Sequence, residues 1–324
     1  MSTPLTDIAV DPGAGPESES VAIAARTPLE LFWRRLRQDR VAFAGLVFVV
    51  LLILMAIFAP LLVKLFGIPG PNTQNAQALD DFGTPTGPSS VHLMGVDQLG
   101  RDVFSRVIYG SRVSLEAALL STFFAVTLGT IVGMVAGFYR GWIDTVLSRT
   151  LDVMLGFPSL LLGIGLASAC SFGNGCLGGL IKPGLTVVIV VIALAAFPYI
   201  ARIVRGQVLS LREKEFIEAS RSLGASDLRT IFREILPNLV APIIVYSTLI
   251  IPQNILFEAS LSFLGVGVQP PTSSWGQMIG DASGNFGEVW WYMLFPGVAL
   301  VLTVLAFNLI GDGLQDALDP KGDR

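Results

Sequence analysis

The chain has 324 residues, of which 52% are hydrophobic and 14% are charged, with a net charge of -4. A soluble globular domain carries about 25% charged residues, so this composition excludes an ordinary water-soluble protein. One histidine and two cysteines argue against a zinc or haem site made by this chain alone, and no basic cluster mixed with aromatic residues suggests nucleic-acid binding.

The N-terminal region has two parts. Residues 1–25 are polar and rich in Pro, Gly, Ser and acidic residues, which predicts a disordered cytoplasmic tail. Residues 26–40 contain TPLELFWRRLRQDR, in which Thr27 and Glu30 form a capping box around Pro28. We expect an amphipathic helix on the cytoplasmic face of the membrane; the alternative is a simple positively charged flank of the first span.

Apolar stretches long enough to cross a membrane follow in series. A spanning helix needs about 20 largely apolar residues. Six stretches meet this requirement, namely 41–63, 113–137, 151–169, 185–204, 239–264 and 292–311. The sequence therefore predicts an all-α integral membrane protein with six transmembrane helices.

The segments between these spans complete the expected organisation. We expect an external loop over 64–112, a core of five spans over 113–311 and a cytoplasmic tail over 312–324. Residues 205–237 are too charged to lie in lipid and interrupt the core. With six spans, most of the 21 Lys and Arg residues lie in segments on the same side of the membrane as the N-terminus. The positive-inside rule makes that side the cytoplasm, so we expect a multi-pass cell-membrane protein with both termini cytoplasmic.

Glycines recur every four residues in the second span, at Gly129, Gly133 and Gly137. This spacing gives one flat helix face that another helix can approach closely. Two interpretations are open: packing inside this subunit, or a seam that slides during a conformational change.

The cytoplasmic interruption reads REKEFIEASRSLGASDLRTIFREILPN over 212–238. We predict a first helix over 212–223 that Gly224 ends, and a second helix that Ser226 caps and Pro237 stops. Two apolar faces are expected, made of Phe216, Ala219, Ser220 and Leu223 in the first helix and of Leu228, Ile231, Phe232 and Ile235 in the second. By amphipathicity alone, this unit would be an ordinary cytoplasmic loop.

The order of residues in this loop is more specific than its amphipathicity. The loop resembles the EAA loop of ABC importer permeases in the order Glu218-Ala219-Ser220, then Gly224, then Leu236-Pro237. Ser220 stands where that family usually has alanine, and Glu234 where the nearest relatives often have histidine. The segments GVDQLGRDVFSRVIYGSRVSL (95–115), EASLSFLGVGVQPPTSSWGQMI (258–279) and FPGVALVLTVLAFNLIGDGLQDALDP (295–320) are similar to dipeptide and oligopeptide importer permeases, specifically to the shorter-loop permease of the pair.

The resemblance implies a type I ABC importer permease with an ATPase-coupling loop. It implies as partners a second permease, two cytoplasmic ATPases that hold ATP and Mg²⁺, and an external substrate-binding protein, with no cofactor on this chain. The chain has no GxxxxGK[ST] phosphate loop of its own. The resemblance assigns coupling to Glu218, Ala219, Ser220, Gly224, Ala225 and Asp227. The cargo stays open among dipeptides, oligopeptides, haem, nickel complexes and glutathione.

Charged residues near the membrane give further candidates. Glu258 lies in the fifth apolar stretch, where a carboxylate is costly unless it faces protein or water. It either lines the translocation path or makes an interhelical hydrogen bond. Arg101, Asp102 and Arg106 precede the second span and form either a docking site for the binding protein or a local ion-pair network.

The remaining candidates lie on the predicted external side. Cys170 and Cys176 are placed where disulfides persist, so we predict a bond between them; two free thiols are the alternative. We expect His92 to be solvated. Four aromatic residues, Trp275, Trp290, Trp291 and Tyr292, are expected to form an interfacial belt, and no metal-binding spacing is present.

Two other functions compete with the importer. An ion-coupled transporter or channel would carry paired ionisable residues deep in several spans, whereas Glu258 is nearly alone. An intramembrane enzyme would need a nucleophile–base pair or a metal cluster, which one loop histidine does not supply.

Overall fold

A computed structural model describes residues 37–171, 175–179, 181–285 and 287–318. The predicted disordered tail, and most of the predicted amphipathic helix, lie outside these residues. Over the described ranges the long secondary-structure elements are helices. They are joined by loops that contain short 3₁₀ turns and isolated β-bridges. The helices are α1 (Arg40–Ile57), α2 (Ala59–Leu65), α3 (Val103–Phe138), α4 (Trp142–Gly156), α5 (Ser159–Ser171), α6 (Leu185–Leu211), α7 (Glu215–Ser222), α8 (Asp227–Phe263), α9 (Trp275–Ala282) and α10 (Trp290–Leu318).

Five of these helices, α1, α3, α6, α8 and α10, are long and apolar enough to cross a membrane. Helices α4 and α5 meet the same length and composition test only as a pair, and they are bent by 89° at a short break. The prediction of six spans is therefore met only if this bent pair counts as one. Two boundaries differ from the predicted ones: α3 begins ten residues earlier, at Val103, because Asp102 caps its N-terminus, and α10 continues through the predicted tail to Leu318.

The bundle has two ends, which we name by what they carry. The loop end carries residues 212–226 together with the C-termini of α3 and α6, since the Arg212 guanidinium donates to the Phe138 carbonyl at 2.6 Å. The opposite end carries residues 67–102, α9 and the N-terminus of α10, where the Trp291 indole donates to the Val96 carbonyl at 3.0 Å.

Helices α3 and α6 make the most extensive helix pair, and the glycine face explains why. A Cβ at Gly133 would lie 2.5 Å from the Ala201 carbonyl oxygen, and a Cβ at Gly129 or Gly137 would lie 2.7 Å from a side chain of α6. Only glycine allows the two backbones to approach this closely. The glycine face thus packs inside this subunit.

Helix α8 corrects the prediction that the second helix of the 212–238 loop stops at Pro237. The helix passes through Pro237 and continues into the membrane to Phe263. A π-helical segment, Thr230–Ile235, precedes the proline, and the Leu236 amide donates to the Ile231 carbonyl. A proline ring collides with the carbonyl four residues earlier, so the wider π turn lets the helix continue without a break.

The opposite end is closed by buried aromatic residues, which corrects the predicted belt. Trp275, Trp291 and Tyr292 are buried, and only Trp290 is exposed. The Trp275 indole donates to the Val107 carbonyl at 3.0 Å, so these rings hold α9, α10 and the preceding loop onto α3. They pack within the protein instead of facing lipid.

Candidate functional site

The first candidate site is the 212–238 loop, whose first helix is α7. Gly224 ends this helix with φ +83°, a conformation that glycine adopts without steric cost. The Ala225 amide donates to the Ser220 carbonyl at 3.1 Å and the Gly224 amide donates to the Arg221 carbonyl at 2.9 Å, which satisfies the last carbonyls of α7. The predicted turn between two helices is therefore formed by the residues expected to form it.

One side chain fixes α7 to the bundle. Ile217 is completely buried and packs in a cluster with Phe138, Val208, Ile231 and Ile235. These residues come from α3, α6 and α8, so one apolar cluster joins α7 to three membrane-crossing helices. A force on α7 is consequently transmitted directly to those helices.

The apolar faces of this loop are only partly as predicted. Ile231 and Ile235 are buried as expected, whereas Phe216, Leu228 and Phe232 are exposed and Leu223 is 89% exposed. The sequence periodicity missed Ile217 as the anchor because isoleucine and phenylalanine stand side by side. The result is an exposed apolar surface, which we call the loop surface: Phe216, Leu223, Leu228 and Phe232.

The residues assigned to coupling border the loop surface. Glu218, Ala219, Gly224 and Asp227 are exposed, and Ser220 and Ala225 are partly exposed. Several exposed large apolar side chains with polar neighbours are typical of a protein-interaction site.

A second candidate site lies inside the bundle, where α4 and α5 are bent at Phe157 and Pro158. The residue before a proline avoids the helical region, and Gly156 just before it weakens the helix further. Pro158 within the predicted third span, 151–169, is the sequence feature that marks this break. Beside it is a cavity of about 420 Å³ lined by Met154, Leu155, Phe157, Ser159, Ala195, Ala196, Tyr199, Ile250, Gln253, Asn254 and Phe257.

Glu258 does not line this cavity. It is 0% exposed and accepts hydrogen bonds from the Ser114 hydroxyl at 3.0 Å and the Ser262 hydroxyl at 2.7 Å. The Trp275 amide donates to the same Ser114 hydroxyl at 3.3 Å. Glu258 thus ties α8 to α3 and α9, which is the interhelical hydrogen bond that the sequence analysis gave as the alternative to a place in the path.

Arg101, Asp102 and Arg106 are all buried, which contradicts their prediction as a docking surface. The Arg101 and Arg106 Nε atoms lie 2.6 Å and 3.5 Å from Asp97 Oδ2. Asp102 Oδ2 lies 2.8 Å from His92 Nδ1, so His92 is also buried and not solvated. Because these charges are paired inside the protein, they form a local network that holds the opposite end together.

Two further predictions concern cysteines and metals. A disulfide joins Cys170, in the last turn of α5, to Cys176 in the loop that follows. Across the described residues no group of three or more His, Cys, Asp or Glu side chains is placed to bind a metal ion.

The bundle of membrane-crossing helices, the cavity at a broken span and the apolar loop at one end define a transport permease. Residues 129–323 match the family described as the binding-protein-dependent transport system inner membrane component, and residues 27–85 match the N-terminal transmembrane domain of oligopeptide transport permease C. The chain belongs to this inner membrane component family, and it is a multi-pass membrane protein.

Its relatives include permeases of named systems. The chain is 41% identical to the glutathione transport system permease protein GsiD of Pectobacterium atrosepticum, over 92% of this chain and 93% of that protein. It is 40% identical to the dipeptide transport system permease protein DppC of Alkalihalophilus pseudofirmus, over 94% and 93% respectively.

One solved structure has the same fold. The MetNI methionine ABC transporter in an inward-facing conformation matches with a TM-score of 0.55 and 23% identity, over 67% of this chain and 98% of that chain. The type I importer permease fold is thereby established for this chain.

Proposed function

We propose that this chain is a membrane-spanning subunit of an ATP-driven importer for dipeptides or oligopeptides. Peptide cargo is supported by relatives named for glutathione and dipeptide transport, which are 40–41% identical over more than nine-tenths of the chain. The chain forms the translocation path with a second, related permease. A substrate-binding protein delivers peptide at the opposite end.

The loop surface receives one of two separate ATPase subunits, which bind ATP and Mg²⁺ and perform the hydrolysis. The observation that carries this proposal is the contrast between buried Ile217 and the exposed apolar side chains beside it. One side of the loop is fixed to the bundle, and the other side presents apolar groups that burial against a partner would stabilise. Glu218, Ala219, Ser220, Gly224, Ala225 and Asp227 act in coupling at this contact.

This assignment also sets the orientation in the membrane. The ATPases are cytoplasmic, so the loop end is cytoplasmic and the opposite end is external. Leu318 ends α10, whose other end carries Trp291 at the opposite end of the bundle, and six crossings would place Arg37 on the same side as Leu318. Both termini are therefore cytoplasmic.

The coupling role is tested by straining the turn after α7. Gly224→Val forces a β-branched residue into a left-handed conformation at a cost of roughly 1–2 kcal/mol, without any steric contact within 4 Å of its Cβ. Gly265 is the matched control, because it has φ +78° and equally open surroundings at the opposite end.

The complex of both permeases and the ATPases is reconstituted in liposomes with the loaded binding protein. We expect Gly224→Val to abolish binding-protein-stimulated ATP hydrolysis and peptide uptake, while Gly265→Val retains both. Unchanged stimulation in Gly224→Val would refute the assignment. An ion-coupled transporter would instead purify without bound ATPases and take up substrate without ATP.

A further inference from the structure

The cavity beside the broken third span is lined by Met154 and Leu155 at the end of α4 and by Ser159 at the start of α5. The last carbonyls of α4 and the first amides of α5 lack intrahelical partners, as at any helix terminus, and here the two termini meet at an 89° bend. Within a membrane such groups occur only where protein or water-filled space surrounds them. The carbonyl end of α4 carries partial negative charge, and the amide end of α5 carries partial positive charge.

A buried amide side chain from another helix borders the same cavity. Asn254 of α8 is 3% exposed, and its Nδ2 donates to the Thr122 hydroxyl at 2.8 Å. Its Oδ1 accepts no hydrogen bond from the described part of the chain. This oxygen is not one of the fully buried side-chain atoms that lack a partner, so it is open to the cavity that Asn254 lines, where a donor from outside the chain can reach it.

The chemistry of the cavity wall is neutral. Its lining residues include two amides, a phenol and a serine among apolar side chains, and none of them is charged. Fixed charges would attract or repel cargo side chains according to their sign. Amides and free backbone groups instead match the N–H and C=O groups that every peptide carries.

We propose that this cavity is a transit subsite that binds the peptide main chain and is indifferent to the charge of the cargo side chains. Asn254 Oδ1 accepts a hydrogen bond from a main-chain N–H or the terminal ammonium, and Gln253 and the backbone groups at the end of α4 and the start of α5 complete the site. This inference rests on the proposed peptide-import function and assigns its recognition to α4, α5 and α8.

The experiment uses the reconstituted complex with three peptides of equal length, one neutral, one containing lysine and one containing glutamate. Each is delivered by saturating binding protein, and uptake is expressed relative to wild type for the same peptide. Asn254→Leu removes the amide, and Asn254→Asp places a carboxylate in the cavity. Thr122→Val is the matched control, because it breaks the same interhelical hydrogen bond from outside the cavity.

We expect Asn254→Leu to reduce the uptake of all three peptides about 10-fold, because one lost hydrogen bond has about this effect at the upper end of its range. The control Thr122→Val should reduce uptake less than about 2-fold. Asn254→Asp should raise the ratio of lysine to glutamate peptide uptake about 5-fold or more. Equal losses in Asn254→Leu and Thr122→Val, or an unchanged ratio in Asn254→Asp, would overturn the subsite while leaving peptide import intact. A wild-type complex that imports no peptide would overturn the import function itself.

Discussion

The glycine face between α3 and α6 gives the sharpest test of the packing, through Gly133→Ala. The added methyl carbon would lie 2.5 Å from the Ala201 carbonyl oxygen and 2.8 Å from the Val204 Cβ. Both distances are far below the 3.5–4.0 Å of a favourable contact. A backbone oxygen cannot rotate away as a flexible side chain can, so the two helices must separate.

The energetic cost follows from this geometry. Overpacking a close contact by one methyl group costs about 1–3 kcal/mol, and separating the helices also weakens the contacts of Gly129 and Gly137 with α6. For a protein of this size, each kcal/mol lowers the melting temperature by roughly 2–4 °C. Gly133→Ala should therefore melt several degrees below wild type.

The assay is thermal unfolding of the purified complex in detergent. Gly206→Ala is the control, since Gly206 lies on α6 with nothing within 4 Å of the added Cβ. We expect this control to melt at or slightly above the wild-type temperature. If Gly133→Ala matched the control, the close approach of α3 and α6 would be wrong.

Three other predictions concern single groups. Unreduced protein should be lighter by two hydrogen atoms than reduced protein, and blocking with a thiol reagent should modify Cys170 and Cys176 only after reduction, because the two are bonded; labelling without reduction would contradict this. Glu258→Gln should transport cationic and neutral peptides as wild type does, whereas Glu258→Leu should lose about 1–3 kcal/mol of stability by leaving buried hydroxyls unpaired; a loss of cationic peptide uptake alone in Glu258→Gln would restore its role in the path. Burial raises the pKa of Asp281 against the opposing effect of Arg106, so its ionisation costs stability as pH rises through that pKa; Asp281→Asn should melt above wild type at about pH 8, and the difference should disappear at about pH 4, while a constant difference would contradict the titration.

The sequence by itself determined the membrane class and the position of the 212–238 loop. Twenty-residue apolar runs allow few structures other than spanning helices, because lipid offers no partners to the backbone. Gly224 and Ser226 located the turn correctly, since positive φ and side-chain capping are local properties of those residues.

Tertiary structure alone decided which way the side chains face. In a membrane helix the faces toward lipid and toward protein are both apolar, so hydropathy does not separate them. For this reason the sequence did not show that Glu258 points into the helix packing, that Ile217 anchors α7, or that Asn254 borders a cavity. The positions of Glu258 and Asn254 depend on α3, more than 100 residues away along the chain, and the burial of Ile217 depends on residues of three different helices. Such contacts are fixed only when the helices pack.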